Sequence, residues 1–267
     1  MKTDHEILTQ VDAPGVRTLL LNRPASANAL SAELVDALHS AVDAAVSENV
    51  RTLVFRGNSR HFCAGFDMSS LEDESDAEIL FRFCRLGLLL ERMGALPCTT
   101  VAVIEGAAVG AGADLAVACD HRIGTKDATL KFPGAGFGAV LGVRRLADVT
   151  SQQTAIALVS QGERVAAEEA LPLGLLTSVI AASNIDGAVQ LLAQGMQRMP
   201  PGTSPELMRG VRTPDHGESL AQLVRSLAGR PGLKDRIKTY ADSSLSRIKV
   251  DATTAGTEPA QANWSRP

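Results

Sequence analysis

The chain has 267 residues, 45% of them hydrophobic and 21% charged, and its 26 Lys and Arg against 30 Asp and Glu give a net charge of −4. This composition is typical of a globular protein and excludes disorder as the dominant state. Because the chain is mildly acidic and has no block of five or six basic residues, we expect neither nucleic acid nor a membrane as a partner.

The N-terminal part of the chain predicts a strand, a helix and a second strand. Asp4 and Glu6 lie where a signal peptide would be apolar, so we expect a cytoplasmic protein. Residues 16–21 are mostly apolar and predict a strand, and Pro24 follows as a residue that cannot extend a strand ladder. Ser31 is a plausible N-cap for an amphipathic helix over 32–48, and a buried strand is predicted at 52–55.

The following segment alternates between helices and short strands. The apolar spacing predicts a helix over 79–93 that ends at Gly94, and then a buried strand over 100–104. A glycine-rich stretch leads into a short helix over 114–119. A strand is predicted at 121–124.

The last third of the chain changes in character. A further apolar segment lies at 129–132. Helices are predicted near 150–159, from about Val165 and near 186–198, and a strand at 177–180, which makes the first 180 residues an α/β layer structure. Prolines then punctuate predicted helices at 217–228 and 233–248. We therefore divide the chain into a main domain (1–199), a helical region (200–250) and a small, polar tail (251–267) that we expect to be disordered.

Two segments are unusually rich in small residues, residues 61–68 and residues 105–114. Small side chains bring the backbone close to another group, and free N–H groups before a helix can stabilise an oxyanion. The alternative is that the glycines only allow close packing of helix on strand. A dinucleotide-binding turn has little support, because Gly110 and Gly112 are followed by Leu115 where that fingerprint has its third glycine.

Over residues 7–181 the sequence resembles the enoyl-CoA hydratase/isomerase family, the crotonases. The motifs that carry the resemblance are Asn22-Arg23-Pro24 with Asn28-Ala29-Leu30, the segment 62–68, and the segment 106–123. The resemblance implies a crotonase-like spiral of strand-strand-helix units with a C-terminal helical trimerisation region, assembled as a homotrimer or as a hexamer built of two trimers. It also implies an acyl-CoA thioester as substrate, with coenzyme A part of that substrate and no metal or separate cofactor.

The same resemblance assigns roles to individual residues. The thioester oxygen would lie between the peptide N–H groups of Ala64 and Ala111, and Asp114 matches the first of two catalytic glutamates of the family's hydratases. The positions implied to bind substrate are Ala25, Ala27, Ala64, Gly65, Phe66, Asp67, Met68, Gly110, Ala111 and Gly134. Asp67 would hold its loop by hydrogen bonds.

The second glutamate of those hydratases falls on Gly134, which has no side chain. Water addition asks for one group that activates water and one that manages the α-proton, so a site with a single carboxyl is short of one function. We predict hydration of a 2-enoyl-CoA. Two alternatives stay open: double-bond isomerisation with one carboxylate, and an acyl-CoA-binding paralogue that has lost efficient catalysis.

Several polar residues have a functional and a simpler interpretation. His61 could serve as an acid or base, although exposed loop histidines are common. Arg23, Arg144 and Arg145 could meet the phosphates of coenzyme A or could be solvated surface charges. Four cysteines without a CxxC pair predict free thiols rather than a disulfide framework or a zinc site.

Overall fold

The structure is a computed structural model that describes residues 8–254 apart from 14, 59, 201 and 213–216. Its strands, in chain order, are β1 (Leu8–Ala13), β2 (Val16–Leu21), β3 (Thr52–Gly57), β4 (His61–Cys63), β5 (Thr99–Ile104), β6 (Ala107–Val109), β7 (His121–Gly124), β8 (Thr129–Lys131), β9 (Arg164–Ala166) and β10 (Ser178–Val179).

The helices, in chain order, are α1 (Ala32–Ser47), α2 (Asp76–Gly94), α3 (Ala111–Val117), α4 (Val143–Val149), α5 (Gln152–Gln161), α6 (Ala167–Ala170), α7 (Ile185–Gln197), α8 (Thr203–Val211), α9 (Glu218–Ala228) and α10 (Leu233–Thr254). Short 3-10 turns cover Pro24–Ser26, Gly134–Phe137 and Ala182–Asn184. The predicted α/β class is confirmed.

The strands form two sheets. The larger has the order β1-β2-β3-β5-β7-β10, with β1 antiparallel to β2 and the remaining neighbours parallel. The smaller has the order β4-β6-β8-β9, parallel except for the last pair. Because β4 pairs with β6, the small sheet brings the two segments of small residues side by side.

Helix starts follow the capping chemistry of the sequence. The Ser31 hydroxyl accepts a hydrogen bond from the Leu34 N–H at 3.3 Å, as expected for an N-cap. Helix α2 begins at Asp76, three residues before the predicted start, because Ser75 and Glu78 form a capping box. Helix α3 likewise begins at Ala111 rather than at the predicted Asp114.

The core lies between the larger sheet and the helices on its two faces. Leu53 and Phe55 of β3 pack with Leu38 of α1 in the main apolar cluster. On the opposite face, Val54 and its neighbours pack against α7. Alternate residues of a strand point to opposite faces, so a sheet covered on both sides needs consecutive apolar residues, as β3 has at 53–55 and β5 at 101–104.

The C-terminal helices pack on the main domain. Helix α9 contacts α2, and α10 contacts both α2 and the 3-10 turn Gly134–Phe137. Helix α8 was not predicted, and α10 continues to Thr254, past the predicted start of the tail at 251. Residues 255–267 lie outside the described residues. Trimerisation through this region and the cytoplasmic location stay predictions.

The described residues form neither a membrane-spanning helix nor a cluster of metal ligands. No helix there is long and apolar enough to cross a lipid bilayer. That same part of the chain holds no group of three or more His, Cys, Asp or Glu side chains placed to bind a metal ion. Its four cysteines are free thiols, as predicted.

Candidate active site

The two segments of small residues meet at Gly65. Its φ is +91°, a backbone conformation that L side chains rarely adopt. A Cβ added to Gly65 would lie 2.5 Å from the Val109 carbonyl oxygen and 3.3 Å from the Ala111 peptide nitrogen. Only glycine therefore allows the loop after β4 to approach the start of α3 this closely.

The peptide N–H of Ala64, predicted to face the thioester oxygen, is already used. It donates to the Ala27 carbonyl at 3.0 Å, which joins the loop to the turn after β2. An N–H in such a bond is a poor donor for a substrate. The prediction of Ala64 as an oxyanion donor is therefore corrected, although the residue lines the cavity described below.

The neighbouring Phe66 supplies a better donor. The Gly65 carbonyl accepts from the Leu30 N–H at 2.7 Å and the Asp67 N–H donates to the Leu30 carbonyl at 3.2 Å, which fixes the backbone on both sides of Phe66. Within the described chain, the N–H groups of Phe66 and Ala111 donate no hydrogen bond. The sequence pointed to this loop, but only the bonding pattern identifies which peptide is open.

Asp114 lies in the first turn of α3, with 8% of the residue exposed. Its carboxyl has no hydrogen-bond partner among the described residues, and burial raises its pKa well above the usual range for aspartate. A Cβ added at Gly142 would overlap the Asp114 carboxyl, so that glycine leaves room for it. The carboxyl is therefore biased toward its neutral, proton-carrying form.

Asp114 and the open peptides border one cavity of about 170 Å³. The predicted site residues that line it are Ala64, Phe66, Met68, Gly110, Ala111, Asp114 and Gly134. The other predicted residues do not line it: Gly65 and Asp67 belong to the loop after β4, and Ala25 and Ala27 belong to the turn that binds the Ala64 N–H. The cavity thus brings together the predicted carboxyl and one of the two predicted N–H donors.

Gly134 forms part of the cavity wall, in the 3-10 turn after β8. A Cβ there would lie 3.1 Å from the Ala139 carbonyl oxygen, so the wall is tight but not closed to a side chain. Asp114 is the one acidic residue among the described residues that line the cavity.

Asp67 holds the loop, as predicted. Its carboxylate accepts from the Ser69 N–H at 2.9 Å and from the Arg23 guanidinium at 2.6 Å. Burial alone would raise the pKa of Asp67, but the hydrogen bonds from Ser69 and Arg23 outweigh it and lower the pKa. The Arg23 guanidinium is therefore used in holding the loop. Arg144 forms an ion pair with Glu218 at 2.8 Å. Neither arrangement supports the phosphate-binding interpretation.

His61 lies on β4, and its side chain is not among the described groups that line the cavity. Its backbone carbonyl accepts a hydrogen bond from the Asn28 side chain at 2.9 Å. The structure therefore gives no support to His61 as an acid or base in the cavity.

Sequence reasoning missed the aromatic part of the cavity. Phe83 of α2, Phe137 of the 3-10 turn and Tyr240 of α10 all line it. Helical periodicity marks such residues as core, and α10 was predicted only as part of an assembly region. The one available signal was the rarity of aromatic residues, which make up 3% of the chain.

Comparison with known proteins gives one consistent result. The family model described as enoyl-CoA hydratase/isomerase matches residues 12–228. A probable enoyl-CoA hydratase of Bacillus subtilis is 35% identical over 169 residues, 61% of this chain and 64% of that protein, so the match spans a little under two thirds of that relative. An enoyl-CoA isomerase/hydratase of Mycosarcoma maydis is 30% identical over 228 residues, covering 76% of this chain and 83% of that protein.

The fold is similar to that of a solved structure with the same family description. The crystal structure of a putative enoyl-CoA hydratase/isomerase from Bordetella parapertussis superimposes with a TM-score of 0.85 at 37% identity, covering 88% of this chain and 98% of that one.

Proposed function

The chain belongs to the enoyl-CoA hydratase/isomerase family, and we propose that it hydrates a 2-enoyl thioester of coenzyme A through an enolate. The observation that carries the proposal is the buried, unpartnered carboxyl of Asp114 on the same cavity as the open N–H groups of Phe66 and Ala111. Coenzyme A enters as part of the substrate. We propose no metal and no separate cofactor.

The two N–H groups provide the electrostatic part of the reaction. Addition to a 2-enoyl thioester moves negative charge onto the thioester oxygen, and fixed peptide donors stabilise that charge without reorganising. Removal of one such donor typically lowers kcat by about 10²–10³-fold. Phe66 is held by the bonds of its neighbours to Leu30, and Ala111 lies beside Gly65, so both donors are fixed before substrate arrives.

A single neutral carboxyl can balance the proton transfers of hydration. Water oxygen forms the new bond to the β-carbon, and one water proton passes to the unprotonated oxygen of Asp114. The proton on the other Asp114 oxygen passes to the α-carbon, where the enolate electron pair forms the C–H bond. The carboxyl ends the cycle neutral, which agrees with the direction of its pKa shift.

Isomerisation is the second candidate, and Gly134 is the observation that favours it. By the family resemblance this position would hold the second glutamate of a hydratase, and here it contributes no acid or base. An ionised Asp114 could remove the α-proton of a 3-enoyl thioester and return it to the γ-carbon. One carboxylate suffices for that exchange, because no water is consumed.

Product analysis in water enriched in heavy oxygen separates the candidates. Hydration incorporates the label, and a shifted double bond at unchanged mass shows isomerisation. Asp114→Asn, run beside the wild type, should lower either turnover by about 10²–10⁴-fold, the usual contribution of general acid–base catalysis. Binding of acyl-CoA without turnover of 2-enoyl or 3-enoyl substrates would refute both and support an acyl-CoA-binding paralogue.

The pH profile supplies an independent test. Hydration by the neutral carboxyl requires kcat/KM to fall as the pH rises through the raised pKa of Asp114. Isomerisation by the ionised carboxylate requires the opposite slope.

The C-terminal helices and the family resemblance also lead us to propose a homotrimer or a hexamer of two trimers, which light scattering of the purified protein would measure.

A further inference from the structure

Aromatic residues are scarce in this chain and concentrated at one place. The sequence contains seven Phe, one Tyr and one Trp. Four of the phenylalanines and the single tyrosine line the cavity that holds Asp114; they are Phe66, Phe83, Phe132, Phe137 and Tyr240. They come from the loop after β4, α2, the segment after β8 and α10.

From this wall we infer that the acyl group of the substrate carries an aromatic ring. The inference rests on the proposed function, because it specifies the acyl part of the same thioester. The rings are arranged as a connected series. Phe66 and Phe83 stack with centroids 4.2 Å apart and an interplanar angle of 5°. Phe137 lies 6.0 Å from Phe83 at 42°, and Tyr240 lies 5.6 Å from Phe137 at 58°.

The first ring of the series is held in place from outside the cavity. The Arg82 guanidinium lies 4.1 Å from the centroid of Phe66, and Arg82 also donates to the Asp67 carbonyl at 2.6 Å and to Glu74 at 2.7 Å. Such cation–π contact with a fixed arginine restrains the ring. The Phe66 part of the aromatic wall is therefore preorganised. Binding of a ligand ring beside it costs little side-chain entropy, because the Phe66 ring is already restrained.

The Phe137 and Tyr240 rings are tilted, which is a favourable geometry for contacts between aromatic groups. Aromatic pairs favour offset-stacked or edge-to-face arrangements with centroids about 4.5–7 Å apart. Tilted neighbours such as Phe137 and Tyr240 present both edges and faces. A flat aryl group inserted beside them can make such contacts, whereas a saturated chain contributes only its buried area.

The size of the cavity limits the acyl group to one ring. An apolar cavity of about 150 Å³ holds a benzene molecule. This cavity measures about 170 Å³, and Asp114 and the open N–H groups border the same space, so it admits at most one ring. Its remaining wall is largely aliphatic, with Leu141, Val143 and Ile237 among its members. The ionisable side chains of the wall are Asp114, Lys131 and Tyr240, and most of the remaining lining residues are apolar, as an uncharged aryl group requires.

Competition between two acyl groups of similar length tests the inference. The wild-type protein is assayed with 3-phenylpropenoyl-CoA and with 2-octenoyl-CoA, and we expect kcat/KM to favour the aryl thioester by about tenfold or more. An equal or higher value for 2-octenoyl-CoA would overturn the inference and leave the proposed hydration intact.

Binding separates failure of the inference from failure of the proposed function. The saturated thioesters 3-phenylpropanoyl-CoA and octanoyl-CoA cannot be hydrated, so calorimetric Kd values report the pocket alone. Tighter binding of the aryl thioester supports the inference even if neither enoyl substrate is turned over. Tighter binding of octanoyl-CoA contradicts it.

Three leucine variants identify the responsible wall. Phe137→Leu and Tyr240→Leu keep an apolar side chain but remove a ring, and each should reduce the aryl-to-alkyl ratio of Kd or kcat/KM by about three- to tenfold. Phe81→Leu is the matched control, because Phe81 lies on α2 beside Phe83 in sequence but is 65% exposed and outside the cavity. A ratio unchanged in both cavity variants would refute the role of the rings.

Discussion

Substitution of Gly65 by alanine should damage the site through a single methyl group. The added Cβ would lie 2.5 Å from the Val109 carbonyl oxygen, so the two segments must separate by about 0.9 Å to reach the 3.4 Å of ordinary contact. That movement shifts Phe66 relative to Ala111, whose N–H groups we propose as the pair of oxyanion donors. A misplacement of about 1 Å costs roughly 10²-fold in rate.

The stability effect of Gly65→Ala has two parts. A φ of +91° is unfavourable for alanine by about 1–2 kcal/mol, and the overpacking against Val109 adds about 1–3 kcal/mol. We therefore expect a loss of about 2–5 kcal/mol in the free energy of unfolding, measured by urea denaturation. At a permissive temperature the folded variant should show kcat/KM at least about 10²-fold below wild type on the best substrate.

Gly202→Ala separates backbone strain from the clash. Gly202 has a φ of +83°, yet an added Cβ would meet no described atom within 4 Å. This variant should lose about 1–2 kcal/mol of stability and keep the wild-type kcat/KM. The reasoning about Gly65 is refuted if folded Gly65→Ala retains wild-type kcat/KM, or if Gly202→Ala loses as much activity.

Three further predictions concern stability. Because burial raises the pKa of Asp114, the folded state holds that proton more tightly, and stability from this group is lost as the pH rises from about 4 through the raised pKa. Asp114→Asn should therefore raise Tm more at pH 8 than at pH 5; a constant difference would contradict the shift. Asp67→Ala should cost about 2–3 kcal/mol in urea unfolding because the Arg23 guanidinium loses its carboxylate and keeps only the Ala29 carbonyl, and Arg23→Met in that background should recover part of the loss. Ser75→Ala should cost about 1 kcal/mol by removing the capping box of α2, and Glu78→Gln should cost less.

Local features of the sequence predicted most of the elements. The N-cap at Ser31 and the apolar spacing after it predicted α1 to within one residue at its end. The proline at 24 correctly placed the end of β2, whereas β3 continues two residues past its predicted end at 55, to Gly57. Strand β1 was not predicted, because only half of its residues are apolar. It forms because it pairs with β2, a contact that its own sequence does not indicate.

The motifs also pointed to the candidate carboxyl and to the loop that faces it, because matching a family motif assigns each of its positions to a residue of this chain. They could not say which peptide N–H is open, since that depends on partners distant in sequence. Ala64 is bonded to Ala27, while the bonds on either side of Phe66 go to Leu30. A shift of two residues in the assigned donor follows from hydrogen bonds that no local pattern reveals.

The sequence by itself determined the α/β class and the family motifs, because these depend on residue type and near neighbours. It also supplied the residues on which the proposed function depends, a carboxyl at Asp114 and no side chain at Gly134. The tertiary structure alone decided the raised pKa of Asp114, which comes from burial by surrounding elements. It also decided the aromatic wall, where Phe66 and Tyr240 meet one cavity from positions 174 residues apart. Both features depend on tertiary packing, which brings together residues that are far apart in the sequence. No local sequence pattern indicates such contacts.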